Sequence, residues 1–135
     1  MTHILLVDDD VELGGMLQEV MSREGWKVSV RHDGKAGLSA ATEETWDLIL
    51  LDINLPSYDG YYWCRQLRQH TTCPILFISA RSGEMDQVFA LENGGDDFIT
   101  KPFHYEIVLA KIRSHLRRSF GEYAPQSGER TIERG

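Results

Sequence analysis

Five short apolar runs, each followed by a polar stretch long enough for a helix, set the limits on how this chain can fold. The runs are Ile4 to Val7, Val28 to Val30, Leu48 to Leu51, Ile75 to Ile78, and Phe98 to Ile99. "LILL" and "ILFI" are continuous rather than alternating, as expected of central strands in a parallel sheet buried on both faces. The second and fifth runs are shorter and more mixed. Helices are expected over about Val11 to Glu24, Lys35 to Glu43, Tyr61 to Gln69, Gly83 to Glu92, and His104 to Arg118. The first places Leu13, Leu17, Val20 and Met21 on one stripe and stops at Gly25, a suitable C′ glycine. The fourth stops at Asn93-Gly94-Gly95, and the fifth spaces Val108, Ile112 and Leu116 helically. Alternating βα units predict an α/β fold: a doubly wound, five-stranded parallel sheet with five helices on its two faces. Ligands of such sheets sit outside the carboxyl ends of the strands, where strand order reverses. The residues just after each apolar run are therefore the ones to read for function.

A chain of 135 residues fits one domain with its own core. Its formal net charge of −7 argues against direct nucleic-acid binding by these residues, because phosphate contacts need clustered Lys and Arg. A DNA-binding domain beyond residue 135 is compatible with that charge. No apolar run approaches the roughly 18 residues of a membrane span, so no membrane insertion is expected. The N-terminus lacks the basic region and cleavage site of a signal peptide, so a cytoplasmic location is expected. Cys64 and Cys73 make neither a disulfide framework nor a metal-ligand spacing and read as reduced thiols. From Ser119 the pattern stops, so residues 1–118 read as the domain and 119–135 as a linker or the start of another.

The strand ends carry a specific set of groups. Asp8, Asp9 and Asp10 follow the first run, Asp52 the third, Ser79 and Ala80 the fourth, and Lys101 and Pro102 the fifth. Taken singly these are ordinary: Asp10 suits the N-cap of the first helix, and Asp8, Asp9 and Asp52 suit turns that end strands. Their meeting at one sheet edge is what points to chemistry. Carboxylates suit a hard cation such as Mg²⁺. Asp52 can attack phosphorus and form an aspartyl-phosphate. Lys101 and a cation would neutralise charge on the transferring group, and Ser79 can hydrogen-bond the product.

The segments "ILLVDDD", "LILLDINLPSYDG", "PILFISA" and "GGDDFITKPF", in this order and spacing, resemble the receiver domain of bacterial two-component response regulators. The resemblance implies a flavodoxin-like, CheY-like receiver that is a regulatory phosphoacceptor with weak self-catalysed phosphorylation and dephosphorylation, not a dedicated enzyme. It assigns Asp52 as phosphoacceptor, fed by a sensor histidine kinase. It assigns Mg²⁺ to Asp8, Asp9, Asp52 and the backbone carbonyl of Asn54, with Asp9 the direct ligand and Asp8 linked through water. Ser79 becomes the switch hydroxyl, Ala80 the small neighbour that leaves room for the donor, Lys101 the phosphate partner and Phe98 the switch aromatic. Pro102 would follow a cis peptide, which an X–Pro bond tolerates. Asn54 and Arg81, two residues past Asp52 and Ser79, would set the tempo of dephosphorylation.

"LENGGDDFITKPFHYEIVLAKIRSHLRR" is similar to the subfamily that joins a receiver to a winged-helix DNA-binding domain (OmpR/PhoB-like). That likeness implies a homodimer through the fourth helix, fifth strand and fifth helix. Val88, Leu91 and Ala110 would form its apolar patch, and Asp96, Asp97, Lys111 and Arg118 its charged ring, with Asp97 meeting Lys111 of the other subunit. Gln87 and Ile107 depart from the usual basic–acidic pair. "YYWCR" and "KPFHYE" further resemble regulators that respond to peptide antibiotics such as bacitracin, although Trp63 and Cys64 also suit core positions beside Leu67, and His104 a helix start. Three rivals remain. A haloacid-dehalogenase-type phosphatase wants a second Asp where Asn54 stands. A nucleotide-binding module wants a Gly-rich loop after the first strand. A stand-alone receiver acting by docking has no need of residues past the fifth helix.

Overall fold

A computed structural model describes residues 1–81 and 83–119. The expected linker over 119–135 therefore lies outside the described residues, apart from Ser119. Five strands and five helices alternate: β1 (His3–Val7), α1 (Val11–Ser22), β2 (Lys27–Arg31), α2 (Gly34–Glu43), β3 (Leu48–Asp52), α3 (Gly60–Arg68), β4 (Ile75–Ser79), α4 (Glu84–Glu92), β5 (Asp97–Thr100) and α5 (Tyr105–Ser119). The strands form one parallel sheet in the order β2-β1-β3-β4-β5. This is the doubly wound architecture that the βα alternation predicts.

Continuous apolar runs follow from burial on both faces. Ile4, Leu6, Leu48, Leu50, Leu76 and Ile78 face α1 and α5, where they meet Leu17, Met21, Val108, Ile112 and Leu116. Leu5, Val7, Ile49, Leu51, Ile75 and Phe77 face the other way, onto Ala40, Trp63, Cys64 and Leu67. Each fully buried Leu or Ile contributes roughly 1.5–3 kcal/mol, so a register slip that exposed either set would be prohibitive. Trp63 and Cys64 are core residues of α3, and burial pushes the Cys64 thiol up to about 11.

Local chemistry sets the helix starts. Asp10, Asp33 and Asp59 sit in extended backbone and accept from the N–H groups of Leu13, Ala36 and Tyr62, each satisfying a donor the helix leaves free. Glycine does not end α1 where the sequence suggests. The helix closes at Ser22 with Arg23 as its cap, and Gly25, at φ +89°, turns the chain two residues later.

The registers align the strand ends. Val7 lies opposite Arg31 and Leu51, Asp52 opposite Ile78, and Ser79 opposite Thr100. Asp8, Asp52, Ser79 and Lys101 thus emerge at one edge. Strand order reverses between β1 and β3, so Asp8 and Asp52 stand at the switch point, where such sheets bind ligands.

Candidate functional site

Asp52, the last residue of β3, is 4% exposed, and Asp8, one residue past β1, is wholly buried. Their carboxylates share one cation. Lys101 Nζ donates to Asp8 Oδ2 at 3.0 Å and to Asp52 Oδ2 at 3.4 Å. The remaining oxygens are held by backbone: Asp8 Oδ1 accepts from Asp10 N at 2.9 Å, and Asp52 Oδ1 from Asn54 N at 3.2 Å. Asp9 is exposed at the rim, and one carboxylate oxygen from each of Asp8, Asp9 and Asp52 falls within 4.8 Å of the others. Ser79 is fully buried, and its Oγ accepts from Arg81 N at 3.3 Å. The Lys101–Pro102 peptide is cis, as expected.

Burial raises the Asp52 carboxyl to about 6, and repulsion from Asp8 adds to that, while Lys101 and the Asn54 N–H pull it back. Burial would lower the Lys101 ammonium, but its bonds to Asp8 and Asp52 outweigh that, and its pKa lies above the usual lysine value. At neutral pH Asp52 is therefore mostly an anion, the form a nucleophile needs. With three carboxylates against one ammonium, the pocket carries excess negative charge in a poorly hydrated place. Its donors are oxygens alone. Such a set fits a hard divalent cation such as Mg²⁺.

The other expected residues lie at the pocket mouth, on β5, and on α4 and α5. Asn54, Ala80 and Arg81 lie at the mouth of this pocket, with Arg81 Nε donating to Asn54 Oδ1 at 3.1 Å. Phe98 on β5 is half-buried, packed against the core. Val88, Leu91, Ala110 and Arg118 are exposed on α4 and α5, away from the pocket. Within the single chain, Lys111 and His115 donate to the two Asp97 oxygens at 2.9 and 3.0 Å. α5 runs beside β5 and places both donors there, and together they hold the Asp97 carboxyl below the usual range despite its burial. Asp96 is also engaged within the chain, by Arg68 and the backbone N–H of Ile75.

Sequence reasoning passed over Gly60. A Cβ there would stand 2.3 Å from the Asp52 carbonyl oxygen and 2.7 Å from Ile53 Cα. The first turn of α3 thus presses against the backbone that presents Asp52. Gly60→Ala is expected to cost about 3 kcal/mol, because backbone cannot yield as a flexible side chain does. Urea unfolding measures this, and an unchanged midpoint would show that the loop moves freely.

Comparison with known proteins places this geometry. Residues 4–113 match the response regulator receiver domain. The transcriptional regulatory protein YxdJ of Bacillus subtilis is 57% identical over 133 residues, which are 98% of this chain and 58% of that protein. The response regulator ArlR of Staphylococcus saprophyticus is 46% identical over 118 residues, 87% of this chain and 54% of its own. This chain thus spans little more than half the length of these curated relatives. Among solved structures, DrrB, described as an OmpR/PhoB homolog of Thermotoga maritima, superposes with a TM-score of 0.80 at 31% identity, over 87% of this chain and 54% of that one. Among the described residues no helix is long and apolar enough to cross a membrane. The sheet topology, the carboxylate pocket at its switch point and the match over most of the chain's length agree: this chain belongs to the response regulator receiver domain family.

Proposed function

We propose that this receiver accepts a phosphoryl group on Asp52 from a sensor histidine kinase and passes the resulting charge to a transcription-regulating, DNA-binding domain beyond residue 135. The observation that carries this reading is the Asp52 carboxylate, buried at the switch point and sharing Lys101 with Asp8. An Asp52 oxygen forms a bond to phosphorus while the bond between phosphorus and the donor's leaving atom breaks. Lys101 lies where it can keep one charge-assisted bond on the transferring group, and the Ser79 hydroxyl can reorient to donate to it. Ala80, at the exposed mouth, leaves the donor a path in. Asp8, Asp9, Asp52 and the Asn54 carbonyl would hold Mg²⁺, which when bound neutralises charge on the phosphoryl oxygens. Phosphorylation and slow loss of the group are the chain's own weak activities, and its setting is the cytoplasm. Labelling with a small phosphodonor and Mg²⁺ tests it: wild type should gain one phosphoryl group and Asp52→Asn none.

The finer reading is an OmpR/PhoB-like regulator: residues 1–118 as receiver and 119–135 as the way to the DNA-binding domain. The new phosphoryl group brings about −1.5 to −2 charges. Ser79 turning toward it vacates space into which Phe98 can move, which links the pocket to β5 and its neighbours. The face for a second subunit is then apolar, with Val88 41% and Leu91 59% exposed on α4, and Ala110 and Arg118 exposed on α5. Ile107, 49% exposed, adds to it where the family's acidic partner is missing. Lys111 and Asp97 satisfy each other within the chain, so apolar burial carries most of the association. We expect a weak dimer that tightens when beryllofluoride and Mg²⁺ mimic phosphorylation, and loss of that tightening in Val88→Asp with Leu91→Asp. Sedimentation checks it; activated protein that stays monomeric at high micromolar concentration, or a double variant that still dimerises, removes the face from the account. The likeness of "YYWCR" and "KPFHYE" to peptide-antibiotic regulators gives a candidate signal, which reporter induction by bacitracin would test.

A further inference from the structure

A second route leads from the pocket to α4. Arg81 follows β4 and reaches two ways. Its Nε donates to Asn54 Oδ1, in the loop after Asp52, and its guanidinium lies 3.7 Å from Asp86 Oδ1 in the first turn of α4. Asp86 is in turn held by α3: Tyr61 Oη donates to its carbonyl oxygen at 3.1 Å and its carboxylate at 3.2 Å. Burial and the Asp86 charge push the Tyr61 hydroxyl up to about 12, so it remains a donor.

Among the described residues α4 is the least anchored helix. It buries Ala90 alone, whereas the other four bury three to five residues each. Its N-cap, Gly83, supplies no side-chain bond. Met85, Val88, Phe89 and Leu91 stand exposed along it. Elsewhere α4 is held by the Phe89 ring against Tyr61 and, at its far end, by Arg65 on Asn93, so the Asp86 contacts are what fix its first turn.

We propose that Arg81 is a charge-operated tether: unphosphorylated, it joins the phosphoacceptor loop to Asp86 of α4, and a phosphoryl group on Asp52 draws it away and loosens the first turn of α4. The inference rests on Asp52 as phosphoacceptor. Magnitudes favour the transfer. The Arg81–Asp86 pair is long and its side chains are 43% and 23% exposed, and such pairs are worth little. A phosphoryl group offers a larger charge and a geometry that guanidinium matches bidentately. Arg81 is already placed for it, with its backbone N–H on Ser79 Oγ and its Nε on Asn54, both neighbours of Asp52. The acceptor oxygens come to the arginine.

Linkage gives the test. If the phosphoryl group weakens the Arg81–Asp86 contact, then removing Asp86 must strengthen binding at the phosphoryl site by the same factor. Asp86→Asn keeps an oxygen for Tyr61 but gives up the charge. Beryllofluoride binding with Mg²⁺ should tighten in Asp86→Asn by up to about fivefold, the factor an exposed pair supplies. Hydrogen exchange in the first turn of α4 should rise on activation of wild type, and be raised already in resting Asp86→Asn. Unchanged or weaker beryllofluoride affinity in Asp86→Asn, or α4 exchange indifferent to activation of a wild type that binds beryllofluoride, overturns the tether and leaves the phosphoacceptor reading standing. A wild type that binds no beryllofluoride and takes no phosphoryl group overturns that reading, and the tether with it.

Discussion

Incubated with acetyl phosphate and Mg²⁺, this chain is expected to gain one phosphoryl group, and Asp52→Asn is expected to gain none. Three carboxylates face the pocket, so the choice among them needs an argument. Asp8 is wholly buried, and its bonds to Lys101 and the Asp10 N–H, 3.0 and 2.9 Å, are both shorter than those of Asp52 to Lys101 and the Asn54 N–H, 3.4 and 3.2 Å. Asp9 is exposed, so an acyl phosphate there would stand in water. Asp52 alone combines burial, a contact with Lys101, and a place at the end of a strand whose neighbour β4 ends in Ser79. Asn at position 52 keeps the shape and cannot act as the nucleophile. Mass spectrometry of intact protein and peptides decides the matter. Label of equal extent in Asp52→Asn, or label on Asp9 in wild type, would sink the assignment. Chelating the divalent cation should suppress labelling almost as fully, since the excess negative charge of the pocket would then face an anionic donor.

Much of this was legible in the residues, for a physical reason. A strand buried on both faces must be apolar throughout, so Leu48–Leu51 and Ile75–Ile78 announce central strands, and whatever polar residue follows them lies at the ligand edge. Asp10 as a helix cap depends on three neighbouring residues and is equally readable. Contacts across the fold were not. The contacts of Asp97 with Lys111 and His115 of the same chain come from the placement of α5 beside β5, which no local pattern announces. The Arg81–Asp86–Tyr61 connection joins three elements; the sequence marks Arg81 by its place after Ser79, and nothing local marks Asp86 or Tyr61 as its partners. Gly60 had a signal: glycine right after an Asp N-cap hints at a close approach, but only the fold shows that the Asp52 carbonyl is what it approaches.

Lys101→Met is expected to destabilise the unliganded protein at neutral pH by about 3 kcal/mol, the cost of stranding buried charge. In wild type the Asp52 carboxyl is raised to about 6 in the fold, against roughly 4 in an unfolded chain. The folded state thus binds the proton more tightly than the unfolded one. The stabilisation from that proton is full below pH about 4 and is lost as pH rises through about 6. Asp52→Asn, which has no charge to strand, should therefore be more stable than wild type at neutral pH, by up to about 3 kcal/mol, with the gap closing in acid. Removing Lys101 takes away the main force opposing this rise. The Asp52 pKa climbs further, and the destabilised window moves into the neutral range. The loss in Lys101→Met should accordingly shrink in acid, shrink when Asp52→Asn is added, and shrink when millimolar Mg²⁺ replaces the missing positive charge and binds the folded state alone. Urea unfolding of the four proteins at pH about 5 and about 8, with and without Mg²⁺, separates these effects. A loss that is equal at both pH values, and equal with Asn at position 52, would mean that Lys101 acts through its aliphatic packing and that Asp8 and Asp52 do not depend on its charge.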